Sequence, residues 1–355
     1  MPSCESDSTS KPVQVPQKGG ESVAVIGAGI SGLIAARTLQ DHGFEVTVFE
    51  KSRGPGGRVA TRRIASGITF DHGAQYFTAR DPQFIPYVES WSARGIVAEW
   101  YGQFVEIRGG EVRIKTNHPR RFVGVPGMAS VGRELASNLR ICLETRILRL
   151  TRSGDNWELI DAAGHSHGPF RQVIVTLPAP QSAELLATHP FAAEAQSIPM
   201  TPCWAVMAAW ERRIEVAWDG AFVQDSALAW IARNSSKPGR ISEPDCWVLH
   251  ASPEWSATHL DTTPDDVAGV LLPAFAQAVG YPLPPASFLA AHRWRYSLGS
   301  DPSERKVLYD RETGLLVCGD WLAGGRIEGA FRSGLRAAEL LCEYSGSLSK
   351  PTKLP

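Results

Sequence analysis

The chain's hydrophobic pattern begins with the apolar run Val23-Ala24-Val25-Ile26. Such a short unbroken run marks a strand buried on both faces. Glycines then interrupt the chain, and Leu33, Ala36 and Leu39 recur every three residues, which predicts one face of a helix. Gly43 follows as a helix C-terminal cap, and Val46 to Phe49 form a second buried strand. Strand, glycine turn, helix and strand together predict a βαβ unit with a parallel sheet. Further on, RICLETRILRL, NWELIDAAG and RQVIVTLPAP within 140–180 alternate as successive strands separated by Gly and Asp turns. Residues 181–305 mix short helices and strands around the Pro-rich breaks TPCW and YPLPPASF. GLLVCGDW (314–321) predicts another buried strand, and Gly329 to Tyr344 a helix with Leu335, Ala338 and Cys342 on one face. The late strand and helix are expected to return to the sheet begun near residue 22.

Composition narrows the class. The 355 residues are 43% hydrophobic and 21% charged, enough for a large core and about two domains. With 36 Lys+Arg against 37 Asp+Glu the net charge is -1, so no general pull toward nucleic acid or an anionic membrane exists. The six cysteines, Cys4, Cys142, Cys203, Cys246, Cys318 and Cys342, form no Cys-x-x-Cys pair and no zinc-spaced cluster with His, so no metal site is expected. They read as reduced, structural thiols of a cytoplasmic protein. No apolar stretch reaches 18 residues, the first 20 residues lack the apolar core of a secretory signal, and the C-terminus carries no peroxisomal Ser-Lys-Leu.

The first chemical motif lies between the first strand and the first helix. Gly27-Ala28-Gly29-Ile30-Ser31-Gly32 is G-x-G-x-x-G, and Glu50 follows Gly29 by 21 residues (50 − 29), at the end of the next strand. This context is that of a Rossmann-like dinucleotide site. Gly27 permits the tight turn, Gly29 lets backbone approach a pyrophosphate, and Gly32 lets helix and strand pack closely. The helix N-terminus offers unpaired N–H groups to phosphate. Glu50 would accept hydrogen bonds from the adenosine ribose, and an acid there favours FAD or NAD over NADP. The segment Lys51-Ser52-Arg53-Gly54-Pro55-Gly56-Gly57-Arg58 then favours FAD, whose longer pyrophosphate and ribityl chain needs a second close backbone approach at Gly56-Gly57 and a cation from Arg58.

At this point a resemblance becomes specific. G-x-G-x-x-G followed by Arg-x-Gly-Pro-Gly-Gly-Arg resembles the FAD-dependent amine oxidase and desaturase superfamily, and Cys318-Gly319-Asp320-Trp321 with Glu328-Gly329-Ala330-Phe331-Arg332-Ser333-Gly334 resembles its last FAD motif. Within that superfamily, FDHGAQYFTARDP (70–82), VGVPGM (123–128), FVQDSALAWIARNSSKPGR (222–240), WVLHASPEWS (247–256) and AHRWRYS (291–297) resemble the bacterial renalase-type flavoproteins, over most of residues 22–343. The resemblance implies an α/β protein. A discontinuous Rossmann-like FAD-binding domain (21–80, 125–180 and 306–345) would carry an inserted α+β substrate domain (81–124 and 181–305) on a mixed or antiparallel sheet. A disordered tail (1–20) and a C-terminal tail (346–355) flank them.

The same resemblance implies an oxidase holding FAD noncovalently. It would take a hydride from 2- or 6-dihydro isomers of NAD(P)H onto flavin N5 and pass electrons to O2, giving hydrogen peroxide. The substrates would be that small isomeric dihydronicotinamide dinucleotide and O2, with neither nucleic acid nor membrane as partner. Tyr76, Asn234, His250 and Trp294 would surround the nicotinamide, with Gln75 beside the flavin. The cofactor set would comprise Gly27, Ala28, Gly29, Ile30, Ser31, Gly32, Glu50, Lys51, Gly57, Arg58, Gln75, Ile147, Asp320, Glu328, Gly329 and Ala330. Each substrate-side residue has a plainer reading: Tyr76 and Trp294 as core aromatics, His250 as a satisfied core histidine, Asn234 as a turn former. Loss of hydride from a dihydronicotinamide needs position more than a base, because aromaticity drives it. Arg62, Arg63, Arg80, Arg233 and Lys237 are cations available for a pyrophosphate arm, with solvated surface as their default. A desaturase or porphyrinogen-type oxidase would need a wide apolar channel or membrane-binding segment, and none is evident, which leaves two alternatives beside this reading. One is an amine oxidase, although Leu322 to Ile327 supply no aromatic before the Gly-Ala helix. The other is a flavin-binding protein without turnover.

Overall fold

A computed structural model describes residues 21–65, 67–116, 119–299, 301 and 305–344. The two expected tails, 1–20 and 346–355, lie outside these described residues.

The βαβ unit forms where the pattern placed it. The strand Ser22–Ile26 leads through the glycine turn into the helix Ile30–Asp41, and Glu45–Phe49 returns parallel to the first strand. Leu33, Ala36 and Leu39 are fully buried. Gly43, at φ 89°, provides the left-handed turn after the helix. The complete sheet has six strands in the spatial order Val307–Asp310, Leu315–Cys318, Gln172–Val175, Ser22–Ile26, Glu45–Phe49 and Arg140–Cys142. Every pairing is parallel except the hairpin formed by the last two strands in sequence. Val25, Ile174 and Leu316 stand side by side across three central strands and are inaccessible to solvent, as a sheet covered on both faces requires. The strand and helix at the C-terminal end thus complete a layer begun near residue 22.

Two boundaries differ from the sequence expectation. Arg140–Cys142 joins the edge of the parallel sheet, whereas Ile147–Ser153, Asn156–Asp161 and Ser166–Phe170 form a separate three-stranded antiparallel sheet. The last helix runs Arg326–Tyr344 and so starts three residues before Gly329 (329 − 326). Gly324 and Gly325, at φ 82° and 73°, make the chain reversal, so the helix begins directly after them. Glu328 and Gly329 therefore lie inside its first turn rather than ahead of it. This helix packs on Ile30–Asp41 at Gly334, where an added Cβ would stand 2.2 Å from the Ser31 carbonyl oxygen.

The second layer is a seven-stranded mixed sheet in the order Phe288–Gly299, Met200–Trp210, Asp245–Ala251, Leu228–Arg233, Gly220–Gln224, Phe104–Arg108 and Glu111–Ile114. One face buries Trp204, Val206, Trp247 and Leu249 against the helix Pro264–Val279. Strand register fixes what the opposite face presents, because side chains alternate with period two. His292, Ala205, His250, Trp230, Phe222 and Glu106 pair successively across six strands and share that face.

Candidate functional site

At the carboxyl end of the parallel strands, each motif glycine has its own steric reason. Gly27 adopts φ 108°, and a Cβ on Gly32 would stand 2.1 Å from the Gly27 carbonyl oxygen and 2.7 Å from Thr176 Oγ1. Gly29 differs: no atom lies within 4 Å of where its Cβ would be. Backbone bare on one side, at a helix N-terminus, is a cradle for phosphate. Gly57 lies against it, its would-be Cβ 3.4 Å from the Gly29 Cα, and the Gly56 N–H donates to the Ala28 carbonyl at 2.7 Å. The two glycine turns therefore form one surface, and the residues present fit a bound dinucleotide pyrophosphate.

Glu50 is buried at the end of the second strand. Its carboxylate accepts the Ala28 N–H and the Ser52 N–H, both at 2.8 Å, which fixes both oxygens while leaving further lone pairs free. Lys51 is exposed beside it. Arg58 forms a bidentate pair with Asp320, Nη2 to Oδ1 at 2.5 Å and Nη1 to Oδ2 at 3.0 Å, and also donates to the Ser297 carbonyl at 2.7 Å. This pair ties the second glycine turn to the last motif. Ser31 donates from its hydroxyl to the Ala330 carbonyl at 2.9 Å, and a Cβ on Gly329 would meet the Ala323 carbonyl oxygen at 2.5 Å. The Ile147 side chain packs in the core around Phe49 and Trp157. Glu328 accepts the Arg80 and Asp81 N–H groups at 2.6 Å each, so its carboxylate anchors the 80–81 segment.

The segment 71–76 crosses between the two layers and organises the substrate side. The carbonyl of His72 accepts Trp294 Nε1–H at 2.9 Å and His250 Nε2–H at 3.1 Å. That bond assigns the proton of His250 to Nε2 and leaves Nδ1 as an acceptor. Burial pushes the His250 imidazole down to about 4, opposed by the bond to the His72 carbonyl and reinforced by the charge of Lys237. Burial likewise holds His72 at about 4, with His292 and Arg62 adding to the effect. Both rings are neutral near pH 7. His72 stacks on Trp294 with centroids 5.1 Å apart and meets His292 edge-on at 4.8 Å. Tyr76 lies against Trp230, centroids 5.4 Å apart. Gln75 is buried, accepts from Lys237 Nζ at 3.0 Å and donates to the Asp71 carbonyl.

The structure thus brings Tyr76, Gln75, His250 and Trp294 to one wall, but it corrects Asn234. That side chain is 1% exposed. Its Nδ2 donates to the Thr69 carbonyl at 2.9 Å and its Oδ1 accepts the Asp71 N–H at 3.3 Å. Its amide holds the 69–71 segment, so it has no free face for a ligand. Arg233 and Lys237 are corrected as well, since both are buried rather than solvated. Lys237 Nζ lies 3.4 Å from Asp71 Oδ2, and Arg240 Nη2 is 2.5 Å from the same oxygen. Burial alone would raise the Asp71 carboxyl, but Lys237, Arg240 and the Met128 N–H outweigh it and hold it below the usual carboxylate range. Burial pushes Lys237 down to about 8 against the pull of Asp71. This charged knot behind Gln75 escapes sequence reading because Asp71 and Lys237 are 166 residues apart. Arg62, Arg63 and Arg80 are exposed, as surface residues.

No group of three or more His, Cys, Asp or Glu residues suited to a metal occurs among the described residues, and none of their helices is long and apolar enough to cross a membrane. Residues 25–91 match the NAD(P)-binding Rossmann-like domain, and residues 102–342 match the flavin containing amine oxidoreductase family. Over 54 residues the chain is 50% identical to a zeta-carotene-forming phytoene desaturase of Myxococcus xanthus, covering 15% of this chain and 10% of that protein. Over 70 residues it is 40% identical to protoporphyrinogen oxidase 2 of Arabidopsis thaliana, covering 20% and 14%. The matches thus span only a small part of those relatives' length. The fold superimposes on cyclohexylamine oxidase from Brevibacterium oxydans with TM-score 0.72 at 15% identity, covering 92% of this chain and all of that one. It superimposes on putrescine oxidase bound to putrescine with TM-score 0.68 at 14% identity, covering 91% and 99%. With 241 of 355 residues (102 to 342) inside the match, this chain belongs to the flavin-containing amine oxidoreductase family and, with it, to the flavin-dependent oxidoreductases.

Proposed function

We propose that the chain is an oxidase of isomeric dihydronicotinamide dinucleotides, working in the cytoplasm with noncovalently bound FAD and O2 as electron acceptor. FAD, when bound, supplies the hydride acceptor. The protein's own residues bind and orient. Gly29 and the first turn of Ile30–Asp41 receive the pyrophosphate, Glu50 the adenosine ribose, and the Arg58–Asp320 pair supports the ribityl side. The first turn of the last helix, Arg326 to Gly329 with Ala330 just behind it, would bring a positive dipole end toward developing negative charge. Cys318 is inaccessible on its strand, which supports noncovalent binding.

The observation that carries the reading is the His72 carbonyl with Trp294 and His250 both bonded to it. It fixes an indole and a neutral imidazole on one wall, while Tyr76 and Trp230 supply flat aromatic surface beside them. Such a wall positions a planar, uncharged dihydropyridine between aromatic rings and imidazoles held neutral, which suits hydride loss driven by aromaticity. His250 Nδ1 is the acceptor available to a carboxamide N–H. The amine oxidase reading is favoured by the structural likeness to putrescine and cyclohexylamine oxidases.

Stopped-flow mixing of the oxidised holoenzyme with borohydride-derived isomers of NAD(P)H, with 4-dihydro NADH and with simple amines separates the readings. Rapid flavin bleaching by the isomers alone is expected. Bleaching by amines alone overturns the proposal in favour of an amine oxidase, and bleaching by nothing leaves a flavin-binding protein without turnover.

A further inference from the structure

One cation on the aromatic side of the site has no role in the description above. Arg121 precedes the short strand Phe122–Gly124. It is 4% exposed, and its Nε and Nη1 are buried without a hydrogen-bond partner. Among the described residues it makes no ion pair. Its guanidinium stacks instead on aromatic rings, 3.9 Å from the centroid of Phe104, 5.0 Å from Tyr76 and 5.9 Å from Phe222. Cation–π contact offsets only part of the cost of removing a guanidinium from water, and two N–H donors remain unused. A ligand anion would complete the site.

The position says which ligand. Phe222 stands in the same cross-strand row as His250, separated from it by Trp230 alone. Two strand spacings amount to about 10 Å. That matches the reach from a nicotinamide ring across its ribose to the first phosphate. Tyr76 and Phe222 are part-exposed, so two of the rings packed on the guanidinium also reach solvent. Lys115 adds a second cation, its Nζ 5.2 Å from the Phe222 ring, where it pairs with Glu106.

We propose that Arg121 is the anion subsite of this cleft and takes a phosphate of the nicotinamide substrate through its unpartnered N–H groups, with Tyr76 and Phe222 packing the ribose arm. This inference rests on the dihydronicotinamide reading and deepens it. It makes the phosphate a determinant of specificity, since charge-assisted bonds to guanidinium are the strong ones. It also sets the cleft against a protonated amine.

The test uses the holoenzyme with three isomeric dihydro substrates: the dinucleotide, the mononucleotide with one phosphate, and the riboside with none. In the wild type the KM of the riboside should exceed that of the mononucleotide at least tenfold. In Arg121→Met that ratio should fall to about one, with kcat for the mononucleotide changed less than threefold, and Arg121→Lys should recover part of the ratio. The Kd of the nicotinamide mononucleotide product, read from the flavin absorbance shift, should rise tenfold or more in Arg121→Met. An unchanged ratio and Kd in that variant overturn the assignment, as does a KM loss equal for riboside and mononucleotide. If Arg121→Met does not fold, the wild-type ratio decides, and equal KM values overturn the proposal. A wild type that oxidises no isomer refutes the dihydronicotinamide reading itself and this subsite with it; a wild type that oxidises all three without preference refutes the subsite alone.

Discussion

Gly29→Ala isolates the cofactor cradle from the fold. At φ −75° and ψ 176° the Gly29 backbone is one that any residue adopts, and no atom lies within 4 Å of the added methyl group. The apoprotein should therefore lose nothing. It should gain up to about 0.5 kcal/mol, because alanine restricts the unfolded chain more than glycine does. The methyl group would instead occupy the side from which a pyrophosphate approaches. Losing one or two charge-assisted N–H bonds at about 1.5–3 kcal/mol each weakens FAD by roughly 100-fold in Kd. Gly32→Ala is the contrast. Its methyl group would meet the Gly27 carbonyl oxygen at 2.1 Å, so strand and helix must part, destabilising the apoprotein by about 1–3 kcal/mol. Thermal melting of the apoproteins and FAD titration followed by quenching of flavin fluorescence read the two effects separately. Wild-type FAD affinity in Gly29→Ala would refute the cradle, and a melting loss equal to that of Gly32→Ala would refute the steric reading.

Two further outcomes are expected. His72 and His250 are held at about 4 in the folded protein against 6.5 for a free imidazole, so the unfolded chain takes up protons first as pH falls. Stability should be level between pH 6.5 and about 8, below the range where Lys237 titrates, and decline between 6.5 and 4, by at most about 3 kcal/mol per imidazole and less for the part-exposed His250. Chemical denaturation at pH 7 and pH 5 measures this, and equal stability at the two would contradict it. Asn234→Ala removes the bonds to Thr69 and Asp71 and should lower stability by about 2 kcal/mol. If it raised substrate KM tenfold with melting unchanged, Asn234 would return to the pocket.

How far the sequence could be read depends on the distance over which each feature is determined. The first βαβ unit is local: an apolar run, a glycine turn and a three-residue period specify strand, turn and helix without reference to the rest of the chain. The motifs containing His250 and Trp294 group the two residues, and the structure puts both on one carbonyl. The burial of Asn234, Arg233 and Lys237 was not legible. A polar side chain is buried only where partners arrive to satisfy it, and those of Lys237 come from Asp71 and Gln75, 166 and 162 residues away. The start of the last helix was misplaced for a smaller reason. Gly324-Gly325 and Gly329 compete as the turn, and only the backbone angles show that the first pair makes it.

The nucleotide cradle is closed by contacts of very long range, 262 residues between Arg58 and Asp320 and 299 between Ser31 and Ala330. During synthesis the glycine turn precedes by far the strand and helix that wall it in, which begin only at Leu315 and Arg326. A nascent chain therefore carries a half-built nucleotide groove and an unsheathed sheet edge for most of its translation. Flavin capture must wait for the segment Leu315 to Tyr344, and a product stopped short of Leu315 would be colourless as well as prone to aggregate.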